Sequence, residues 1–475
     1  MQNNAGKVNS YLSLNKNGLF TSIPARKITG ENIYSIHNHR LASPIKSSLA
    51  CSCQYSKTSF IINTGGSLTF SHIFIISKQA KHINSFMAKA PIRVFSLVVF
   101  WLMVLGGAVW GQDVNFSSAA AAAAAPQGQV GGGGRSAEMV PAMFVFGDSL
   151  IDNGNNNNIP SFAKANYFPY GIDFNGGPTG RFSNGYTMVD EIAELLGLPL
   201  IPPFSEASGD QVLHGVNYAS AAAGILDITG RNFVGRIPFG EQIRNFQSTL
   251  DQITDNLGAD DVAGAIADCI FFVGMGSNDY LNNYLMPNYP TRTQYNAPQF
   301  ADLLTQQYTQ QLTRLYNLGA RKFVVAGLGR MGCIPSILAQ SPSGRCNEEV
   351  NRLVLPFNAN VKTMINKLNT NLPGAKFIYI DIARIFEDIV NNARSYGFTV
   401  ANRGCCGIGR NRGQITCLPL QTPCPNRDQY IFWDAFHPTA AANIIIGRKA
   451  FNGDLSQVYP MNIQKLATLN IKSSP

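Results

Sequence analysis

Between residues 143 and 381 short apolar runs alternate with longer stretches of helical period, and this alternation restricts the fold more than any other feature of the chain. The runs fall at 143–146, 216–220, 270–275, 322–327 and 376–381. Each is shorter than an ordinary helix and apolar at most positions, the pattern of a strand buried on both faces. Between them, 300–316 (FADLLTQQYTQQLTRLY) sets Leu303, Leu304, Tyr308, Leu312 and Leu315 on one helical face. Similar periodicity covers 349–368 and, more briefly, 190–196. Strands alternating with helices predict a doubly wound α/β sheet of five parallel strands, in which ligands sit at the carboxyl ends of the strands. Asp148-Ser149, 221–224 and 276–279 follow the ends of the first three runs.

The 475 residues, 45% hydrophobic, suffice for a large core, and the formal charge of +9 hints at an anionic partner. The distribution of charge removes that hint. Residues 1–86 carry nine Lys/Arg against Glu31 alone, and Lys89 and Arg93 precede residue 112, so the rest is one charge short of neutral. A near-neutral body with dispersed charges has no footprint for a phosphate backbone, so nucleic acid is not an expected partner. From Met87 the chain reads MAKAPIRVFSLVVFWLMVLGGAVWGQ: two cations, an apolar run and small residues. Against the alternative of a membrane anchor, that pattern predicts a cleaved signal peptide, 87–111, with cleavage before Gln112. Its apolar run falls short of the roughly 20 residues that span a bilayer, so no stable membrane insertion of the mature protein is expected. Residues 1–86 then read as an upstream extension outside the functional protein. Residues 112–138, with alanines from Ala119 and glycines from Gly131, read as a low-complexity tether, and 139–475 as one domain without repeats.

Export implies an oxidising compartment, so the seven cysteines of that part are candidates for disulfides. An odd number leaves one unpaired, and Cys269, which opens an apolar run, is the expected free thiol. Cys333, Cys346, Cys405, Cys406, Cys417 and Cys424 admit fifteen pairings, among which sequence does not choose. No CxxC pair or neighbouring histidine supports a zinc site.

The domain holds two histidines, His214 and His437. A serine hydrolase needs one imidazole to take the hydroxyl proton. His437, three residues after Asp434 in YIFWDAFHPTAAA, is within reach of a carboxylate that would orient it, and Pro438 keeps it in a loop. A D-x-x-H spacing alone is common and fits a structural role better than a catalytic one. Asn278, after a strand end and two glycines in FFVGMGSNDYLNNYL, could offer a carboxamide N–H to a developing oxyanion, or could cap a turn. Ser149 could be a reactive hydroxyl or a turn residue, and the asparagines 155–158 read as loop residues bonding to their own backbone and tolerating left-handed conformations.

Five blocks taken in order weigh these alternatives. FGDSLIDNGNNN, GRFSNG, GVNYASAAAGI, VGMGSNDY and FWDAFHPT resemble the plant-type GDSL esterase/lipase family of SGNH hydrolases, over some 330 residues from Ala142. The resemblance implies a flavodoxin-like three-layer α/β/α fold, a secreted esterase or lipase acting on acyl esters, and no cofactor or metal. It implies Ser149 as nucleophile, Asp434 and His437 as its partners and Asn278 as an oxyanion donor. A second, backbone donor falls on Ala222, where many relatives carry glycine; alanine serves there at negative φ and is strained at positive φ, with Gly224 the alternative. The same resemblance leaves room for acyl transfer to an alcohol, and a cell-wall binding module would keep the fold without the chemistry. A G-x-G-x-x-G match at 327–332 runs into Cys333-Ile334-Pro335 instead of a helix, which argues against a dinucleotide loop.

Overall fold

The computed structural model describes residues 137–471 and two short strands nearer the N-terminus, β1 (Tyr11–Leu14) and β2 (Phe20–Ile23), which pair antiparallel. Units 1–126 and 127–475 are separate bodies, and the second holds the main sheet, its helices and the candidate site. The proposed signal segment and the tether as far as residue 136 lie outside the described residues.

The sheet is built on β3 (Met143–Gly147), β4 (Ile270–Gly274), β5 (Lys322–Ala326) and β6 (Lys376–Ile380), which pair in that order and in parallel. Side chains alternate along each strand and so define two cores. Phe144, Phe146, Phe271, Val273, Phe323 and Phe377 face one side; Met143, Val145, Ile270, Phe272, Val324 and Ile378 face the other. Helices α1 (Met188–Leu195), α2 (Phe239–Leu257), α3 (Ala297–Asn317), α4 (Glu348–Asn371), α5 (Ile382–Asn391) and α6 (Ala440–Asn452) cover the two faces. Residues of α2, α3 and α4 join the first core and those of α1, α5 and α6 the second, which gives the three α/β/α layers. In α3 the buried face is Phe300, Leu304, Tyr308, Leu312 and Leu315, while Leu303 lies at its margin.

Two features depart from the sequence expectation. The run 216–220 lies parallel to β3, with Val145 N–H donating to Val216 and Tyr218 and Ser220 N–H donating to β3 carbonyls, but it forms isolated bridges and no regular strand. On the edge facing away from β3, Asn217 bonds within the loop, its Oδ1 accepting from Ala219 N–H at 2.9 Å and its Nδ2 donating to Ile151 C=O at 2.7 Å. Counting it, the parallel segments run in the order 2-1-3-4-5 of flavodoxin-like sheets. The fifth regular strand is instead the short antiparallel edge β9 (Val458–Tyr459), beside β6. A further two-stranded sheet pairs β7 (Val400–Gly404) with β8 (Tyr430–Phe432).

Candidate active site

The carboxyl ends of β3 and β4 adjoin at the point where strand order reverses, the place where such sheets open a crevice. Ser149 leaves β3 through Gly147, where a side chain would lie 2.9 Å from Gly274 C=O and collide with Ile151. Buried Gln242 of α2 completes the strand end: its Oε1 accepts Gly147 N–H at 3.0 Å and its Nε2 donates to Gly147 C=O at 2.8 Å. Asp148 then closes the turn, accepting from Ile151 and Asp152 N–H at its carbonyl and from Leu150 N–H at Oδ1.

His437 occupies a tight excursion between β8 and α6. Trp433 N–H donates to His437 C=O at 2.8 Å, Phe432 bridges Pro438, and Thr439 caps α6. The ring stands with Nε2 2.8 Å from Ser149 Oγ and Nδ1 2.9 Å from both oxygens of Asp434. An ionised carboxylate only accepts, so Nδ1 carries the imidazole proton and Nε2 is left to accept from the serine hydroxyl. Burial alone would raise the Asp434 pKa, but His437, Tyr170 and the Phe436 N–H hold it below the usual carboxylate range. Tyr170 Oη donates to Oδ2 at 2.6 Å, Thr416 Oγ1 to the same oxygen at 3.3 Å, and the Phe436 and His437 N–H groups to Oδ1 at 2.8 Å.

Asn278 follows β4 on the short turn Ser277–Asp279, behind Gly276 at φ +122°. Its Oδ1 accepts from Asn282 Nδ2 and its Nδ2 donates to Ala223 C=O at 2.9 Å. This fixes the amide and leaves its second N–H, on a residue that lines the cavity. Ala222 also lines it and Gly224 is not among the lining residues; the Ala222 N–H donates to no acceptor among the described residues. Its φ is +65°, the strained alternative, not the negative φ at which alanine sits freely.

Buried acids hold this loop. Asp152 accepts Ala221 N–H at 2.9 Å, and Asp279 accepts Ile225 and Leu226 N–H and the Thr229 hydroxyl. Burial pushes Asp148 up to about 7 and Asp152 and Asp279 up to about 6. The asparagines correct another expectation. Asn155 Nδ2 donates to Asn217 and Ala219 C=O, Asn156 to Ala163 and Ala221 C=O, and Asn157 to Thr179 C=O. They tie distant segments together, and none has positive φ.

A cavity of about 230 Å³ opens over Ser149, His437, Asn278 and Ala222. Its wall is mainly apolar, with Met188, Ile334, Ile382, Phe386, Phe432 and Ile446 among the lining residues. His214 is half exposed beside Glu138 and is not part of this lining. The cysteines resolve into Cys333–Cys346, Cys405–Cys424 and Cys406–Cys417, with Cys269 buried and free. Cys333, ending the G-x-G-x-x-G loop, is therefore tied down, while Leu328 and Met331 of that loop line the cavity.

Sequence reasoning missed Tyr170, Thr416, Asp152, Asp279 and Gln242. Asp152 and Asp279 sit inside the blocks FGDSLIDNGNNN and VGMGSNDY, and Gln242 is the polar member of an apolar stripe with Phe239, Ile243 and Phe246, all fully buried; Tyr170 and Thr416 carried no such signal.

A family model described as GDSL-like Lipase/Acylhydrolase matches residues 143–450. The GDSL esterase/lipase At1g71691 of Arabidopsis thaliana is 74% identical over 333 residues, covering 70% of this chain and 87% of its own. At1g29670 and At5g45670 of the same plant, also GDSL esterase/lipases, are 55% and 53% identical over 70% of this chain and 92% and 94% of theirs. With the α/β/α sheet and the residues gathered at its switch point, these matches establish that the chain belongs to the GDSL-like lipase/acylhydrolase family and is a carboxylic ester hydrolase.

Proposed function

We propose that residues 139–475 form a secreted esterase that cleaves acyl esters through an acyl-enzyme, with Ser149, His437 and Asp434 as its catalytic triad. Ser149 Oγ bonds to the ester carbonyl carbon as its proton passes to His437 Nε2. The imidazolium, supported by Asp434, returns that proton to the departing alkoxide as the C–O bond breaks. Water then attacks the acyl-enzyme by the same route and releases the acid. Asn278 Nδ2 and the Ala222 N–H hold the negative charge that develops on the carbonyl oxygen. The observation that carries this reading is the continuous chain from Ser149 Oγ to His437 to Asp434, with steps of 2.8 and 2.9 Å, at the floor of an apolar cavity.

Export is supported by three disulfides, which persist in oxidising compartments. No helix among the described residues is long and apolar enough to cross a membrane. Sequencing the N-terminus of secreted protein tests cleavage after Gly111; a mature chain beginning within residues 1–86 overturns it.

The test of the chemistry is hydrolysis of p-nitrophenyl esters of increasing acyl length by the wild type beside Ser149→Ala. Turnover by the wild type and its loss in a folded variant support the triad. Retention of more than a few per cent of the rate refutes the nucleophile, and no turnover by either protein favours a binding module.

A further inference from the structure

Behind the proposed triad, Asp434 is held by a layer of side chains from two other segments. Tyr170 is fully buried, with Oη 2.6 Å from Asp434 Oδ2. Its ring meets Trp433, Phe182 and Tyr167 edge-on, at centroid distances of 6.1, 6.0 and 5.3 Å. Tyr167 Oη donates in turn to Cys417 C=O at 3.0 Å. Thr416, next to Cys417, lies 3.3 Å from both Tyr170 Oη and Asp434 Oδ2. Cys417 is bonded to Cys406, whose N–H donates to Trp433 C=O, one residue before Asp434.

Resting on the triad reading, we propose that Tyr170 is a positioning residue of this enzyme: its hydroxyl, seated by the Cys406–Cys417 segment, fixes the Asp434 carboxylate and tempers its charge as felt by His437. A carboxylate that accepts a strong O–H bond holds its charge on the donor side and attracts the imidazolium less. Without that donor the imidazolium is favoured, so a higher pH is needed to free the base. Other titratable groups face the pair: Asp148 beyond Ser149 and Tyr167 beside Tyr170. Both remain in the variant, so the difference between the two proteins isolates Tyr170.

The experiment is the pH profile of kcat/KM for Tyr170→Phe, which keeps the ring and its packing, beside wild type. The acid limb should move up by roughly half to one pH unit, a loss of about three- to tenfold on the acid side, with the alkaline plateau within about threefold of wild type. Thr416→Val should shift the limb in the same direction by less, in keeping with its longer contact. A Tyr170→Phe profile that superimposes on wild type after scaling, or moves to lower pH, overturns the proposal. Labelling with a fluorophosphonate separates the two ideas. Labelled protein with an unshifted limb refutes Tyr170 alone, whereas wild type that takes no label at Ser149 overturns the triad and the role of Tyr170 with it.

Discussion

Ala222 is an alanine held at φ +65°, a conformation that costs an L-residue roughly 1–2 kcal/mol and glycine almost nothing. Ala222→Gly releases that strain, against about 0.4–1 kcal/mol of extra freedom in the unfolded chain. The melting temperature should therefore hold or rise, the reverse of a typical buried Ala→Gly change. Activity should stay within about threefold, since the proposed donor is backbone. Asn278→Ala instead removes a side-chain donor and should lower kcat by roughly 10²–10³ in steady-state assays of folded protein. Asp148 presents a different balance. Its pKa, raised by burial to about 7 from the ordinary carboxylate value, means that the folded state binds the extra proton. The stability this contributes is complete below about pH 4 and is lost as pH rises through 7. Asp148→Asn abolishes that dependence, so its melting temperature relative to wild type should climb between pH 4 and pH 8. A constant gap across that range would contradict the shifted titration.

At the scale of elements, β3 to β6 and the three periodic helices were legible because burial on two faces or on one stripe writes itself into residue order. The segment 216–220 was not fully so: it keeps its backbone bonds to β3 but forms isolated bridges instead of a regular strand, which its apolarity does not foretell. Nor was β9, too short to carry a pattern. Within the candidate site, the five blocks marked the residues that line the cavity. Of the groups that hold them, Asp152 and Asp279 lie inside two of those blocks, but the others come from elsewhere: Tyr170 from the loop before α1, Thr416 from within the Cys406–Cys417 loop, Gln242 from the buried face of α2. Such partners depend on contacts across long stretches of chain, which residue spacing does not record. Gln242 illustrates what an element contributes to the site. Gln242→Leu fills the space but leaves Gly147 N–H, buried at the strand end, without its acceptor. Urea unfolding should show a loss of roughly 1–3 kcal/mol, the desolvation cost of one orphaned group. A fall in kcat should accompany it, because Gly147 sets the direction in which Ser149 leaves the sheet.

For the molecule as a whole, the disulfides separate stability from chemistry. Cys333–Cys346 and Cys406–Cys417 close loops of nearly equal size, with sequence separations of 13 and 11. The entropy of loop closure therefore assigns them similar contributions, about 3 kcal/mol each. Their surroundings differ. Cys333–Cys346 joins the loop after β5 to the start of α4, whereas Cys406–Cys417 lies in the small core with Tyr170 and Trp433, directly behind Asp434. Replacing either pair by serine should lower the melting temperature by a comparable amount. Only the loss of Cys406–Cys417 should also move the acid limb of kcat/KM upward, since it frees Thr416 and the carbonyl that anchors Tyr167. Rates measured well below each variant's melting point keep the two effects apart. Equal shifts in both variants, or none in either, would mean that the disulfides act through global stability alone.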